Sequence, residues 1–186
     1  MALGSTFADV MSAAKQGDLQ AITDLYRDVN PRLSRYLRAR EPQEADDLAS
    51  ETWLVLARQI KTFSGSEKQW WALVFLVARR CLTDHWKRNK RRKTAPVPSE
   101  AFTDLPGSTD VETEGLDALQ SRDAVDLVLR TLSADQADVI LLRVMADLDA
   151  DSVAEILGKR PGTIRVLQHR ALRTLAMSIP DTSAPA

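Results

Sequence analysis

The chain has 186 residues, 44% of them hydrophobic, and carries 25 Lys and Arg against 26 Asp and Glu for a formal net charge of −1. That suffices for the core of one medium domain or two small ones, and no run is long and pure enough to span a bilayer, so no membrane insertion is expected. A single cysteine, Cys81, excludes an internal disulfide and a multi-cysteine metal site, and His85 and His169 lie too far apart to suggest zinc, so neither a metal nor any other cofactor is expected.

Met1–Val10 lacks the basic start and apolar stretch of a secretory signal, and the expected location is the cytoplasm. Charge is unevenly placed. Residues 1–93 hold 17 basic and 11 acidic side chains, whereas residues 94–186 hold 8 basic and 15 acidic ones. Positive charge gathers at Arg32, Arg35, Arg38 and Arg40, in Lys87–Lys93, and near the C-terminus. Phosphate binding depends on such local patches, so a near-neutral total leaves a nucleic-acid partner open.

From Phe7 to about Lys93 the pattern is helical almost throughout. Residues 44–63 form an amphipathic helix with an apolar stripe of Leu48, Thr52, Leu56, Ile60 and Phe63 at spacings of three and four. Asp47, Glu51 and Leu54 share its flank. Carboxylates near a helix start are favoured by the helix dipole, which accounts for Asp46 and Asp47 better than for Glu51. A paired-carboxylate catalytic site is set aside, because nothing nearby supplies a metal, a nucleophile or a pocket. The chain is therefore not expected to be an enzyme.

Residues 69–93 hold Trp70, Trp71, Phe75 and Trp86, followed by six cations within Lys87–Lys93. Aromatic rings beside a cationic track suit single-stranded nucleic acid, the rings taking bases while Lys and Arg hold the backbone. The competing reading places Trp71, Phe75 and Leu82 in the core. Six cations in seven positions repel one another without a polyanion, which favours the nucleic-acid reading for the basic run.

Residues 94–120 change in character, rich in Pro, Ser, Thr and Gly with six acidic residues and no basic one. An extended, flexible acidic linker is expected there. Helical patterning resumes over 121–177. Ser133 and Gln136 form a capping-box start for a helix through about Met145, and Val125, Leu129 and Leu132 are spaced to share a core with Val139, Leu142 and Ile156. Much of the remaining surface is acidic, through Asp123, Asp126, Asp135, Asp138, Asp147, Asp151 and Glu155. Asp149 then caps a short helix over Ala150–Leu157, which Gly158 ends. The helix over Arg160–Leu175 turns Ile164, Leu167, Ala171 and Leu175 inward, and Arg165, Val166, His169, Arg170 and Arg173 outward. Helix, Gly turn and Pro-started basic helix form a helix-turn-helix, whose second helix enters the DNA major groove. A solvated amphipathic helix is the plainer alternative. The expected fold is all-α: two small helical bundles (7–93 and 121–177) joined by an acidic flexible linker, the second ending in the helix-turn-helix.

This order of parts resembles the extracytoplasmic-function branch of the bacterial sigma-70 family. The resemblance runs from about Ala13 to Ala176 and is carried by ADDLASETWLVLARQIKTFSG, ARRCLTDHWKRNKRR and LSADQADVILLRVMADLDADSVAEILGKRPGTIRVLQHRAL. It implies a transcription initiation factor that binds core RNA polymerase and directs it to promoter DNA, both duplex and melted strand. Asp46, Asp47, Leu48, Glu51 and Leu54 would dock on the polymerase. Ser64, Gly65, Ser66 and Lys68 match the loop that captures a flipped base of the minus-ten element. Arg79, Arg80, Asp84, Trp86, Lys87, Arg88, Arg91 and Arg92 match the helix that melts and reads that element. Arg160, Thr163, Arg165, Val166, His169, Arg170 and Arg173 match the reader of the minus-thirty-five duplex. An anti-sigma factor is a further partner the resemblance implies. Arg80 stands where the family often has Asn, Leu73 where it has Trp, Ser50 where it has Gln, and Leu167–Gln168 where it has Arg-Leu, so no promoter sequence is read from the match. The rival function is a helix-turn-helix regulator acting on duplex DNA without a polymerase.

Overall fold

The computed structural model describes residues 3–94 and 117–178, the side chains of residues 5, 92–94 and 117–123 excepted. After a 3-10 turn at Gly4–Thr6, eight helices follow: α1 Phe7–Lys15, α2 Leu19–Arg40, α3 Ala45–Ile60, α4 Glu67–Thr94, α5 Asp117–Thr131, α6 Ala134–Val144, α7 Ala150–Leu157 and α8 Pro161–Ser178. The fold is all-α with two domains, α1–α4 and α5–α8. Most of the linker read over 94–120 lies outside the described residues, as does the chain after Pro180. Residues 117–120, read as linker, belong to α5.

α2 starts where the Asp18 carboxylate accepts from the Ala21 amide at 2.9 Å, and its 3–4 spacing buries Leu25, Val29, Leu33, Tyr36 and Leu37. Pro31 sits exposed inside this helix. In α3, Asp46 and Asp47 occupy the first turn, and Leu48, Thr52, Leu56 and Ile60 are buried. Thr52 is accommodated there because its hydroxyl donates to the Leu48 carbonyl at 2.7 Å. The helix ends at Ile60, so Phe63, read as its last apolar position, lies instead in the following loop, edge-on to Trp70 with ring centroids 5.4 Å apart.

α4 is the spine of the first domain. Trp70, Trp71, Phe75 and Leu82 are all buried, Trp71 lies nearly parallel to Phe75 at 6.2 Å, and Phe75 meets Tyr36 edge-on at 5.5 Å. The expectation that this aromatic stretch offers its rings to bases is therefore corrected for Trp70, Trp71 and Phe75. Burying these large rings is worth more than leaving them for a ligand, because each removes much apolar area from water. Cys81 is also buried, and burial pushes its thiol pKa up.

In the second domain, Ser133 and Gln136 form the expected capping box on α6. Val128, Leu132, Val139, Leu142, Val153, Ile156, Ile164 and Ala171 form its core. Leu129, assigned to that core from its spacing, is instead exposed, and Val128 takes the inward position. A turn links α6 to α7, with Asp147 at a φ of 53°, a left-handed conformation that Asp tolerates better than most residues. Arg143 holds this turn, donating from Nη1 to the Leu148 carbonyl and from Nε to Gln168 of α8 at 3.1 Å.

The two domains pack together. α4 lies against α7 and α2 touches α6, so the buried residues of both form one continuous cluster.

Candidate nucleic-acid interface

The helix-turn-helix is built as its local chemistry dictates. The Asp149 carboxylate accepts from the Ser152 amide at 2.8 Å to start α7, and Gly158 closes it with a φ of 61°, where a residue with a Cβ would be strained. α8 then turns Ile164 and Ala171 fully inward. Arg160, Thr163, Arg165, Val166, His169, Arg170 and Arg173 are all exposed, so α8 and the residue just before it bring together the set expected to face duplex DNA. Arg165 lies 3.8 Å from Asp151 on α7, a solvent-exposed pair that a phosphate can replace at little cost.

On α3 the structure separates the residues expected to dock on a partner. Asp46, Asp47 and Leu54 are exposed, Leu54 at 65%. Glu51 is half-buried, with Arg88 of α4 at 3.2 Å from its carboxylate. Leu48 is 2% exposed and belongs to the core. It packs beneath the acidic face and lines the floor of the groove between α3 and α4. A shallow groove lined by Glu44, Asp47, Glu51, His85, Arg88 and Asn89 runs between α3 and α4.

The loop before α4 presents Ser64, Gly65 and Ser66 to solvent, and Lys68 is exposed on the first turn of α4. Its shape is fixed by reciprocal contacts: the Ser66 amide donates to Gln69 Oε1 at 2.8 Å, and the Gln69 amide donates to Ser66 Oγ at 3.4 Å. A Cβ at Gly65 would meet Gln69 Oε1 at 2.7 Å, so a larger residue there would displace the Gln69 side chain from the Ser66 amide.

Along α4, Arg80, Asp84, Lys87, Arg88 and Arg91 are exposed, and Arg79 and Trp86 are half-buried. The side chain of Arg92 lies outside the described residues. Arg79, Arg80, Thr83, Asp84 and Lys87 line a shallow groove with Leu76. Trp86 donates from Nε1 to Glu41, and the Arg40 guanidinium lies over its ring at 4.9 Å. Two of the cations expected to hold a strand instead contact the second domain. Lys68 Nζ is 2.7 Å from Asp149, and Arg79 is 3.3 Å from Asp138. Asp138, read as surface charge, is 6% exposed because Arg40, at 3.1 Å, closes over its other oxygen. Arg32 lies 3.9 Å from Asp147 and stacks over Trp71 at 4.7 Å.

These neighbours shift two groups. Burial raises the Asp149 pKa, but hydrogen bonds from Lys68 and Ser152 outweigh it and bring the carboxyl from 3.8 to about 2. Burial, and then the nearby Asp138 carboxylate, push the Tyr36 hydroxyl well above the usual phenol range. The contacts of Asp138 were missed from sequence because nothing in the pattern says that the two domains touch. The excess of cations in one half and of carboxylates in the other was the available signal. Among the described residues, no helix is long and apolar enough to cross a membrane.

Comparison with known proteins agrees with this arrangement. The family model for sigma-70 region 2 matches residues 22–92, and that for sigma-70 region 4 matches residues 122–175. The chain is 32% identical over 172 residues to the ECF RNA polymerase sigma factor ShbA of Streptomyces griseus, covering 87% of this chain and 89% of that one. It is 30% identical over 175 residues to the ECF RNA polymerase sigma factor BldN of Streptomyces coelicolor, covering 93% of this chain and 66% of BldN. Among solved structures, CnrH in complex with the cytosolic domain of CnrY shares the fold with a TM-score of 0.65 and 16% identity, over 94% of this chain and 97% of that one. The sigma factor RpoE of Bartonella quintana, in complex with the anti-sigma factor NepR, does so with a TM-score of 0.63 and 20% identity, over 86% and 96%.

Proposed function

The chain belongs to the extracytoplasmic-function branch of the sigma-70 family, the initiation factors that direct RNA polymerase to promoters, and on that premise we propose how its residues divide the work. The first domain, 7–93, docks on core polymerase and holds the melted minus-ten strand. The second, 121–177, reads the minus-thirty-five element as duplex, and residues 94–120 tether the two. The location proposed is the cytoplasm, where core polymerase works.

Duplex reading falls to α8. Arg165, Val166, His169 and Arg170 meet base edges, while Arg160, Thr163 and Arg173 contact phosphates and fix register. A good bidentate base contact discriminates by about 1–3 kcal/mol. Strand capture falls to the Ser64–Ser66 loop, to Lys68 beside it and to the outer face of α4. With Trp70 and Trp71 in the core, the loop must take the flipped base, and Lys68, Arg79, Arg80, Lys87, Arg88, Arg91 and Arg92 hold the backbone against an unstacking cost of a few kcal/mol. Trp86 is the half-buried ring on this face, and Asp84 sets the Lys87 ammonium at 3.4 Å. Docking falls to Asp46, Asp47, Glu51 and Leu54, with Leu48 anchoring them. No covalent bond is made or broken by these groups, so the polymerase supplies the chemistry.

The observation that carries this reading is the coexistence of a fully exposed basic α8 face with an acidic, leucine-bearing α3 face on separate domains. A duplex-only regulator would need the first and have no use for the second. Run-off transcription with purified core polymerase tests it: the chain should start RNA at discrete genomic sites, and an Asp47→Ala, Glu51→Ala pair should lower both initiation and polymerase pull-down. Wild-type protein that neither binds the core nor starts RNA would remove the proposal. An anti-sigma protein covering the docking faces is a second proposed partner, checked by affinity purification from the native cell.

A further inference from the structure

α8 holds Arg165, His169, Arg170 and Arg173 and no carboxylate, and in the middle of that face stands a side chain that can neither donate nor accept a hydrogen bond. Val166 is 49% exposed. It lies two residues, or roughly 200° around the helix, from the fully buried Ile164, and so faces almost directly away from the core. It takes no part in the hydrophobic cluster, which reaches α8 through Ile164, Leu167, Ala171 and Leu175. Thr163, His169, Arg170 and Arg173 surround it at spacings of three, four and seven, all of them exposed. The other exposed apolar side chains of α8 lie elsewhere. Leu172 is one turn from Gln168, which Arg143 of α6 holds at 3.1 Å, and Met177 is in the last turn.

We propose that Val166 reads the C5 methyl group of a thymine in the major groove and so fixes one T·A pair of the upstream element. This rests on the reading of α8 as the duplex-facing helix. The chemistry narrows the choice. A phosphate, or a base edge that offers only donors and acceptors, gains nothing from an isopropyl group, which strips water from it without replacing the hydrogen bonds. The thymine methyl is the apolar group that a base pair presents in the major groove. Val166 is the sixth residue of α8, within the N-terminal part that meets base edges in a helix-turn-helix. Valine is branched at Cβ and holds essentially one χ1 rotamer in a helix, so its two methyl groups are placed in advance and lose little freedom on contact. The cations around it draw the helix onto the duplex whatever its sequence. The apolar centre then distinguishes the base beneath it.

The test first enriches sites for the full wild-type chain from a randomised duplex pool. Fluorescence polarisation at fixed salt then reads affinity for the enriched duplex, with each thymine in turn replaced by deoxyuridine, which removes the methyl group and leaves base pairing intact. Wild type is expected to lose about fourfold at one thymine, the worth of one methyl group taken out of water. Val166→Ser is expected to bind the thymine and deoxyuridine duplexes alike, and Val166→Thr, which keeps one methyl group, to fall between. Helix content verifies that both variants fold. A wild-type site indifferent to every such replacement, a methyl effect that persists in Val166→Ser, or a pool from which no duplex is enriched overturns the inference. Run-off transcription separates it from the function reading. A chain that reads the methyl group but never starts RNA with core polymerase leaves the role of Val166 standing and sinks the assignment. RNA started at promoters whose upstream duplex shows no methyl dependence does the reverse.

Discussion

Trp70 and Arg80 lie on one helix and divide the labour of α4 between them. Trp70 has no exposed surface and packs on Phe63, while Arg80 faces solvent. Trp70→Ala should lower stability by about 3–5 kcal/mol in denaturant titration, and Arg80→Ala by less than about 0.5 kcal/mol. The effect on single-strand affinity should be the reverse, Arg80→Ala being the variant that weakens it at unchanged stability. Asp149 carries a pH dependence of known sign. Its folded pKa lies below its ordinary value of 3.8, at about 2, so its contribution is fully present above pH 4 and fades as pH falls from about 4 toward 2. Asp149→Asn should remove that component from an acid titration followed by helix signal. At this scale the sequence was readable where a residue's role is local: the Asp149 cap, the Ser133–Gln136 box and the Gly158 turn follow from neighbouring residues alone. It was unreadable for Trp70 and Trp71, since aromatics next to cations satisfy both a core pattern and a strand-binding one.

The elements were legible to the extent that their apolar period is clean. α3 and α8 each present one apolar stripe and one charged face, and their exposed residues follow from spacing. α4 carries no such period, being apolar all round in its first half, and only packing shows which side α2 and α3 cover. Leu129 illustrates the limit: a shift of one position to Val128 lies within the scatter of any spacing argument. For α8 the division between base and phosphate contacts is testable. Arg173→Ala should weaken duplex binding uniformly across sequences and lower the slope of log affinity against log salt by about 1. Arg170→Ala should instead relax specificity at one base pair, costing about 1–3 kcal/mol there. Affinity measured on a panel of promoter variants at several salt concentrations distinguishes the two.

At the scale of the whole molecule, two domains and the order of their parts were legible, but the only trace of their contact was the opposite charge excess of the two halves, because ion pairs between distant segments leave no periodic one. The contact has a thermodynamic signature. Every tryptophan (Trp53, Trp70, Trp71 and Trp86) belongs to the first domain, so indole fluorescence follows that domain while circular dichroism follows both. With the domains docked, the two signals should lose structure in one coincident urea transition. Asp138→Ala should split them, the second domain melting at its own midpoint.

Cys81, the only thiol in the sequence, is enclosed where α4 packs under α3, near the Thr52 hydroxyl, and is held protonated by its burial. An alkylating reagent at neutral pH therefore reacts no faster than these two helices part, and its rate measures how often they breathe. Maleimide dyes attached to cysteines engineered on α8 and α1 would meet almost no background from the native protein, which suits the chain to measuring the distance between its two domains one molecule at a time.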